Sequence, residues 1–408
     1  LTQKQRFYHF TMTQNPEGRY AARGVSASKA DVHKAVDHLD RGLYPKAFCK
    51  ITPDHFTGLE DRCTVIHSDG SGSKSILAYL WYRETQDPSV FEGIAQDSIV
   101  MNIDDLLCVG VRGQLLLSST INRNANTCDA DVIAAIIGGN EKFIKQMQSY
   151  GLDVVNGGGE TADMGDSVRT ITVDTCAVAS LPKKEVIAGG IVPGLSIVGL
   201  SSSGQASYEN TENSGVGSNG LTSARHDLLC SHYRETYPEA WAPEIDSELA
   251  YCGPYRLKDP LPGSSLSVGE ALLSPTRSYA PVILKMLKEA PKAVAGLIHC
   301  TGGAQTKCLR FGEGVHFIKD NLFPAPALFS EIQKHSGTSL QEMYQVYNMG
   351  HRMEVYCREE DAEQLIQISK SFHIDAKVIG KTEASKKEDG SCHLTIKAQG
   401  KELNYELP

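Results

Sequence analysis

The sequence predicts an α+β protein of two units, 1–190 and 191–408, on three observations. Helix-like and strand-like patterns alternate along the chain, yet glycine turns and short antiparallel-looking pairs interrupt them often. Breakers gather at Pro182, Gly189-Gly190 and Pro193-Gly194, which puts the division near residue 190. A chain of 408 residues is long enough for two or three domains.

In the first unit, residues 62–68 (RCTVIHS) read as a β-branched strand running into the glycine-rich turn 69–73, and a helical pattern follows over 74–86. Residues 94–110 read as a mostly buried helix, 114–121 as an apolar strand, and 129–150 as a long helix weakened by Gly138-Gly139. A strand over 152–156 is expected to stop at Gly157-Gly158-Gly159, and 169–180 alternates as a sheet strand does. In the second unit, 196–200 is a strand, 219–229 a helix, and 277–289 a helix with Pro281 in its first turns. The strand 294–299 leads into Thr301-Gly302-Gly303. An amphipathic helix over 359–370 lies between strands 351–357 and 375–381. Two polar insertions, 205–218 and 231–265, are each long enough for a functional loop or simply a mobile one.

Hydrophobic residues make up 41% and charged residues 22%, so a sizeable core forms without staples. The net charge is −9, and the densest basic patches, Lys183-Lys184 and Lys386-Lys387, are only pairs. Tracking a nucleic-acid backbone takes a basic stripe, so no nucleic-acid partner is expected. An acidic protein that holds anionic phosphates needs metal ions or backbone N–H groups to do so. The eleven cysteines are scattered singly with no C-x-x-C pair, which fits reduced thiols in a cytoplasmic enzyme better than zinc or disulfides. Residues 1–20 carry no apolar signal core, and the longest apolar stretch, 99–117, contains Asp104, Asp105 and Arg112. Neither a secretory signal nor a membrane span is expected.

Five stretches are candidates for chemistry. In His67-Ser68-Asp69-Gly70-Ser71-Gly72-Ser73-Lys74, Gly70 and Gly72 let backbone approach an anion, Asp69 can hold Mg²⁺, and Lys74 can neutralise phosphate. The order differs from a Walker A loop, and an Asp-Gly turn before a helix is also an ordinary turn. Asp104-Asp105 sits in an apolar helix, where unpaired carboxylates are costly and a metal with nucleotide phosphates would compensate. Exposure at a helix end or pairing with an Arg would also serve. Adjacent helical residues point apart, so only one need be a ligand. Gly158-Gly159-Glu160 suggests backbone packed against a ligand with a carboxylate aimed inward, or else a flexible turn with a solvated Glu. His299 through Gly303 ends a strand where the glycines could cradle an anion, though a strand-end histidine is often structural. Tyr347-Asn348-Met349-Gly350-His351-Arg352-Met353 is a turn into a strand.

The ordered set is more specific than any member. D-G-x-G-x-K, the D-D helix, G-G-E-T-A-x-M, S-N-G, S-P-T-R-x-Y, H-x-T-G-G and Y-N-M-G together resemble the aminoimidazole ribonucleotide synthetase superfamily. Three stretches resemble its phosphoribosylformylglycinamidine cyclo-ligase branch: Ser274-Pro275-Thr276-Arg277-Ser278-Tyr279, Glu342-Met343-Tyr344 followed by Tyr347-Asn348-Met349-Gly350, and Tyr20 with Gly24-Val25. The resemblance spans residues 20–383 in the family's order.

The resemblance implies an N-terminal ATP-binding domain whose sheet pairs with that of a second subunit, a homodimer, and a C-terminal α/β domain packed against it. It implies an ATP-dependent ligase of purine biosynthesis, which converts formylglycinamidine ribonucleotide to aminoimidazole ribonucleotide with release of ADP and phosphate. By the same resemblance, Asp69, Asp105 and Glu160 would hold Mg²⁺ and polyphosphate, and Lys74 would contact phosphate. Asn219-Gly220 and Thr301-Gly302-Gly303 would line the substrate or ATP pocket, and His299 matches a family histidine. Asp104 stands where the family commonly has Asn. The family's histidine two residues before that Asn-Gly is replaced here by Gly217, after an insertion, so another group such as Tyr208 would substitute. The rival readings are another phosphorylating member of the superfamily and a nucleotide-binding paralogue that has lost catalysis.

Overall fold

The computed structural model describes residues 18–25, 30–36 and 38–407, so the reading of 1–17 as free of a signal core lies outside the described residues. Two short helices, α1 (Gly18–Ala22) and α2 (Ala30–Val36), precede the first sheet. That sheet comprises β1 (Ile51–Pro53), β2 (Arg62–Gly70), β3 (Leu115–Arg123), β4 (Val154–Asp163) and β5 (Ile171–Pro182), in the order β1-β2-β5-β3-β4. Only the β3–β4 pair is parallel. Helices α3 (Lys74–Thr85), α4 (Val90–Leu107) and α5 (Ala130–Ser149) connect these strands.

Strand β5 shows why one face is covered. Its odd residues, Ile171 to Leu181, are buried and its even residues half-buried, the period of 2 expected of a sheet packed on one side. Helix α4 covers the buried face, and 14 of its 18 residues are themselves buried, so it is wrapped by protein all round. Helix α5 starts cleanly because the Asp129 side chain accepts from the Asp131 and Val132 N–H groups, a cap worth about 1 kcal/mol. Gly139 has a packing role in α5: a Cβ there would come within 2.8 Å of Glu92 Cα, so the glycine lets α5 close onto α4.

The second sheet runs β12-β11-β8-β10-β6-β9-β7. Its strands are β6 (Ser196–Ser201), β7 (Gly296–His299), β8 (Val315–Lys319), β9 (His351–Cys357), β10 (Ala376–Ala384), β11 (His393–Ala398) and β12 (Lys401–Glu406). Its helices are α6 (Leu221–Leu228), α7 (Ser231–Thr236), α8 (Val268–Leu273), α9 (Ala280–Glu289), α10 (Ala327–Ser336), α11 (Leu340–Val346) and α12 (Glu359–Lys370). Edge strand β7 and helix α9 both touch α4. Helix α4 is therefore the wall shared by the two halves. The two sheets and interleaved helices bear out the α+β class.

Several sequence expectations need correction. Strand β4 does not stop at Asn156 but runs through the glycines and Glu160 to Asp163. It does so with a bulge: the pairing slips between Leu117 and Ser119, Gly158 takes φ +93°, and Asn156 Oδ1 accepts from the Gly158 N–H at 2.9 Å. The helix expected from 219 starts at Leu221, with Gly220 at φ +77° as its N-cap. The helix expected from 277 starts at Ala280, because Arg277 is engaged elsewhere. The second insertion is packed: it contains α7, and its Tyr233, Tyr251 and Leu257 are fully buried. The first is pinned by Glu209, whose carboxylate receives Arg277 Nε at 2.9 Å and Nη2 at 2.5 Å.

Candidate active site

Strand β2 alternates so that His67 and Asp69 project toward α4, since their β5 partners Ala177 and Thr175 are both buried on that face. Asn102 of α4 donates its Nδ2 to the carbonyls of Asp69 (3.1 Å) and Ser98 (2.8 Å). That fixes its Oδ1 as the acceptor facing His67 Nδ1 at 2.9 Å. The other nitrogen of His67 lies 3.3 Å from Asp105 Oδ2, one turn further along α4. Both ring nitrogens thus face acceptors, the arrangement of an imidazolium. Burial opposes that charge, but the Asp105 carboxylate and Asn102 raise the His67 pKa above the ordinary value.

The opposite side of Asp105 is supplied by the second half of the chain. Strand β7 ends at His299, fully buried, whose Nδ1 lies 2.7 Å from Asp105 Oδ1. Arg352 of β9 donates its Nε–H to His299 Nε2 at 3.2 Å, so Nε2 holds the lone pair and Nδ1 the proton. Burial pushes His299 down to about 4, in keeping with a neutral ring. Lys307 Nζ stands 4.0 Å from Asp105 Oδ2. Burial alone would raise the Asp105 carboxyl, but Lys307, His299 and His67 together hold it far below the usual range. Nearby Asp69, at the open end of the strand, moves the other way: partial desolvation and the Asp105 charge raise its pKa against the Gly70 N–H.

Two expected site residues are placed elsewhere. Lys74 does not reach a phosphate pocket: it is fully buried, bound to Asp97 Oδ1 at 2.9 Å and to the Ser274 carbonyl at 2.5 Å. Asp97 Oδ1 also receives the Thr276 N–H at 2.7 Å, so this pair clips the S-P-T-R stretch to α4. The Asp104 carboxylate is likewise engaged within the protein. About 100° round the helix from Asp105, it accepts from Ser278 Oγ at 2.7 Å and the Tyr279 N–H at 2.9 Å. Burial pushes it up to about 7 despite these donors.

Glu160 is exposed and pairs through Thr120 with Asp174 and Gly70, on the sheet face opposite Asp69 and Asp105. The three carboxylates expected at one metal therefore do not share a face within one chain. Gly159 is tight because a side chain would strike the Ser119 backbone, and Gly70 because the Asp174 carboxylate lies over it. Gly72 takes φ +57° at the turn. Asn219 is half-buried, and Gly220 has the Tyr347 ring where a side chain would be. Thr301 is buried, Gly302 exposed, and Gly303, at φ +87°, caps a 3₁₀ turn over Ala304–Arg310. At Gly217, a Cβ would come within 2.8 Å of Arg352 Nη1. Arg352 thus occupies the space a side chain at 217 would take, and the Tyr208 hydroxyl is engaged elsewhere, donating to the Ser278 carbonyl at 2.5 Å beside the Tyr150 and Phe372 rings.

His67 and Arg352 fell within the candidate stretches but were given no role of their own, and Asn102 and Lys307 were given none either. The sequence held one usable signal, His67 two residues before Asp69 on a strand and hence on the same face. The thiols Cys49, Cys108 and Cys300 are buried and pushed well up, so none is a poised thiolate. A second buried cluster, Cys300, His351 and Glu354, has metal-like spacing. Lys319 Nζ already lies 2.5 Å from Glu354, with His351 Nε2 at 3.1 Å and the Tyr356 hydroxyl at 2.7 Å, so the carboxylate is satisfied by protein.

Two family models match in sequence order: the AIR synthase related protein N-terminal domain over residues 55–181 and its C-terminal domain over 192–393. A phosphoribosylformylglycinamidine cyclo-ligase of Methanococcus vannielii is 31% identical over 340 residues, 82% of this chain and 83% of that protein. One of Pyrococcus furiosus is 30% identical over 309 residues, 76% of each. Among solved structures, a chain of a HypE–HypF complex covers 93% of this chain and 100% of that one, with a TM-score of 0.53 and 15% identity, a likeness of fold alone. The chain belongs to the phosphoribosylformylglycinamidine cyclo-ligase (aminoimidazole ribonucleotide synthetase) family.

Proposed function

We propose that this chain is an ATP-dependent cyclo-ligase that closes formylglycinamidine ribonucleotide to aminoimidazole ribonucleotide, releasing ADP and phosphate. The observation that carries it is the ionised Asp105 held between His67, His299 and Lys307 where the two halves meet, with Asp69 beside it on a glycine turn. An amide oxygen is a poor leaving group, so the formyl oxygen attacks the γ-phosphorus first, and ADP departs with the electron pair of the broken P–O bond. An amidine nitrogen of the same molecule then attacks the activated carbon. Phosphate leaves with the C–O pair, and the nitrogen sheds its proton. Such chemistry asks for positioning and charge neutralisation more than for a covalent nucleophile.

The donor set fits Mg²⁺: Asp69 and Asp105 offer hard carboxylate oxygens, and their mutual repulsion is what a divalent cation relieves. Once bound, Mg²⁺ would neutralise polyphosphate charge. Asn219-Gly220, Thr301-Gly302-Gly303, Gly70 and Gly72 would line the pocket. Glu160 and the glycines Gly158-Gly159 we assign instead to the open sheet face.

That face supports a homodimer. Ile66, Val178, Leu116 and Val155 form one row across β2, β5, β3 and β4, and Ile66, Leu116 and Val155 are 58%, 51% and 51% exposed. A contiguous apolar row calls for a cover, and a second copy of the same sheet supplies it isologously. We place the domain division near residue 190, between β5 and β6. All eleven cysteines are free thiols, which suits a cytoplasmic enzyme. No described helix is long and apolar enough to cross a membrane.

The test is phosphate release with ATP, Mg²⁺ and formylglycinamidine ribonucleotide. Turnover that Asp69→Asn and Asp105→Asn abolish is expected, Asp69→Asn with thermal unfolding unchanged. ATP binding without turnover would favour a silent paralogue, and a fully active Asp69→Asn protein would remove the metal assignment.

A further inference from the structure

We infer that Lys307, and not Lys74, is the ammonium that neutralises the phosphoryl group during its transfer to the formyl oxygen, an assignment that rests on the cyclo-ligase reading above. In a protein of net charge −9, a triphosphate is held by local positive charge or N–H donors rather than by the overall field. The lysine of the glycine-rich turn cannot serve, because Lys74 is sealed between Asp97 and the Ser274 carbonyl. Lys307 comes from the other half of the chain and approaches Asp105, its Nζ 4.0 Å from Oδ2.

Its setting is that of a cation held in place but not used up. The Nζ donates to Thr301 Oγ1 at 2.5 Å and lies 4.3 Å above the centroid of the Phe48 ring, which itself stacks on Phe311 at 4.8 Å. These contacts fix where the ammonium sits. Among the described residues, Thr301 is its one hydrogen-bond acceptor, and Asp105 Oδ2, at 4.0 Å, is beyond hydrogen-bond reach. Two of the three N–H bonds thus remain for oxygens of a ligand. The side chain is 16% exposed, against 0% for Lys74. The exposed Gly302 and half-buried Gly303 leave a way in without a side chain. Asp69 and Asp105 would hold the metal, and Lys307 would supply a second positive charge beside it for the anion. Lys307 forms no covalent bond in this role. It neutralises non-bridging oxygens, first on the γ-phosphate and then on the phosphorylated formyl oxygen.

The experiment compares wild type, Lys307→Met and Lys307→Arg in the full-length protein, by phosphate release and by calorimetric titration with Mg·ATP. Lys307→Met should lower kcat by about 100-fold and weaken Mg·ATP about tenfold. Its Tm should match wild type, and Lys307→Arg should recover most of the Mg·ATP affinity. A merely structural lysine would lower Tm and would not separate affinity from stability. Lys307→Met that binds Mg·ATP as wild type does overturns the inference, whether or not the wild type turns over formylglycinamidine ribonucleotide. If the wild type binds Mg·ATP without turnover, the cyclisation is excluded while the Lys307 affinity loss still decides this role. A wild type that binds no Mg·ATP overturns both.

Discussion

Arg352 Nε lies 3.2 Å from His299 Nε2, and that one contact decides which nitrogen of the histidine carries its proton. An arginine can only donate, so Nε2 must accept, and the N–H at Nδ1 is left to meet Asp105 at 2.7 Å. Arg352 is itself buried, with Nη2 on the Arg277 carbonyl and its guanidinium 5.6 Å from the Tyr279 ring centroid. Strand β9, the end of β7 and the S-P-T-R stretch are joined behind the carboxylate by this one side chain.

Arg352→Lys should therefore damage catalysis more than folding. An ammonium cannot donate to His299 and to the Arg277 carbonyl from the same fork, so the imidazole is freed to rotate or change tautomer. Loss of such a supporting hydrogen bond typically costs 10- to 100-fold. We expect a kcat loss in that range with KM for ATP within about threefold, measured by phosphate release. Unaltered kcat would show that His299 is oriented by other contacts.

Lys74→Met should act on stability. Removing one partner of a fully buried pair leaves Asp97 with its charge uncompensated, which costs about 3–5 kcal/mol. Asp97 Oδ2 already lacks a partner, so the site has nothing in reserve. Urea denaturation should show the drop, and Lys74→Met with Asp97→Leu should recover part of it. A single variant as stable as wild type would mean that the pair has no structural role.

How far these roles could be read in advance follows from how local they are. The period of β5, the Asp129 cap and the β2 alternation depend on near neighbours in sequence, and the strands and helices stood largely where expected. Asp105 was legible as a carboxylate needing compensation, because a charge in an apolar helix is conspicuous. What compensates it was not: His299 is 194 residues away and Lys74 lies 200 residues from its carbonyl partner Ser274. A lysine after D-G-x-G looks the same in sequence whether it faces phosphate or Asp97. Gly217 read as a lost histidine, and only the fold shows its φ of +68° and Arg352 Nη1 standing where a side chain there would go. The continuation of β4 through three glycines was hidden because a bulge overrides their poor strand propensity.

Leu116→Asp should separate the protomers if the open sheet face is the dimer interface. Leu116 pairs with Val178 on one side and Val155 on the other, at the middle of the row, and one charge per copy would face its counterpart. Sedimentation velocity should show a monomer in place of a dimer, with far-UV circular dichroism retained. A variant that sediments as wild type would place any interface elsewhere.

His226 should make the protein acid-sensitive. Its ring is fully buried, Nδ1 accepts from the Tyr251 N–H at 3.1 Å, and it packs edge-on to the Tyr251 ring at 4.6 Å. Burial first, and then the charges of Arg225 and Arg23, depress its pKa to about 2, while Asp227 is turned to Arg23 at 2.6 Å. A histidine depressed in the folded state takes up its proton more readily when unfolded, so its contribution is complete above the unfolded value of about 6.5 and is lost as pH falls toward 2. The slope is about 1.4 kcal/mol per pH unit, or roughly 2 kcal/mol between pH 7 and pH 5. In His226→Gln the amide oxygen can still accept from Tyr251 but does not titrate. Urea denaturation at pH 7, 6 and 5 should show wild type losing about that much more stability than the variant over the interval. Parallel pH dependence in the two proteins would mean that the ring is not held neutral in the core.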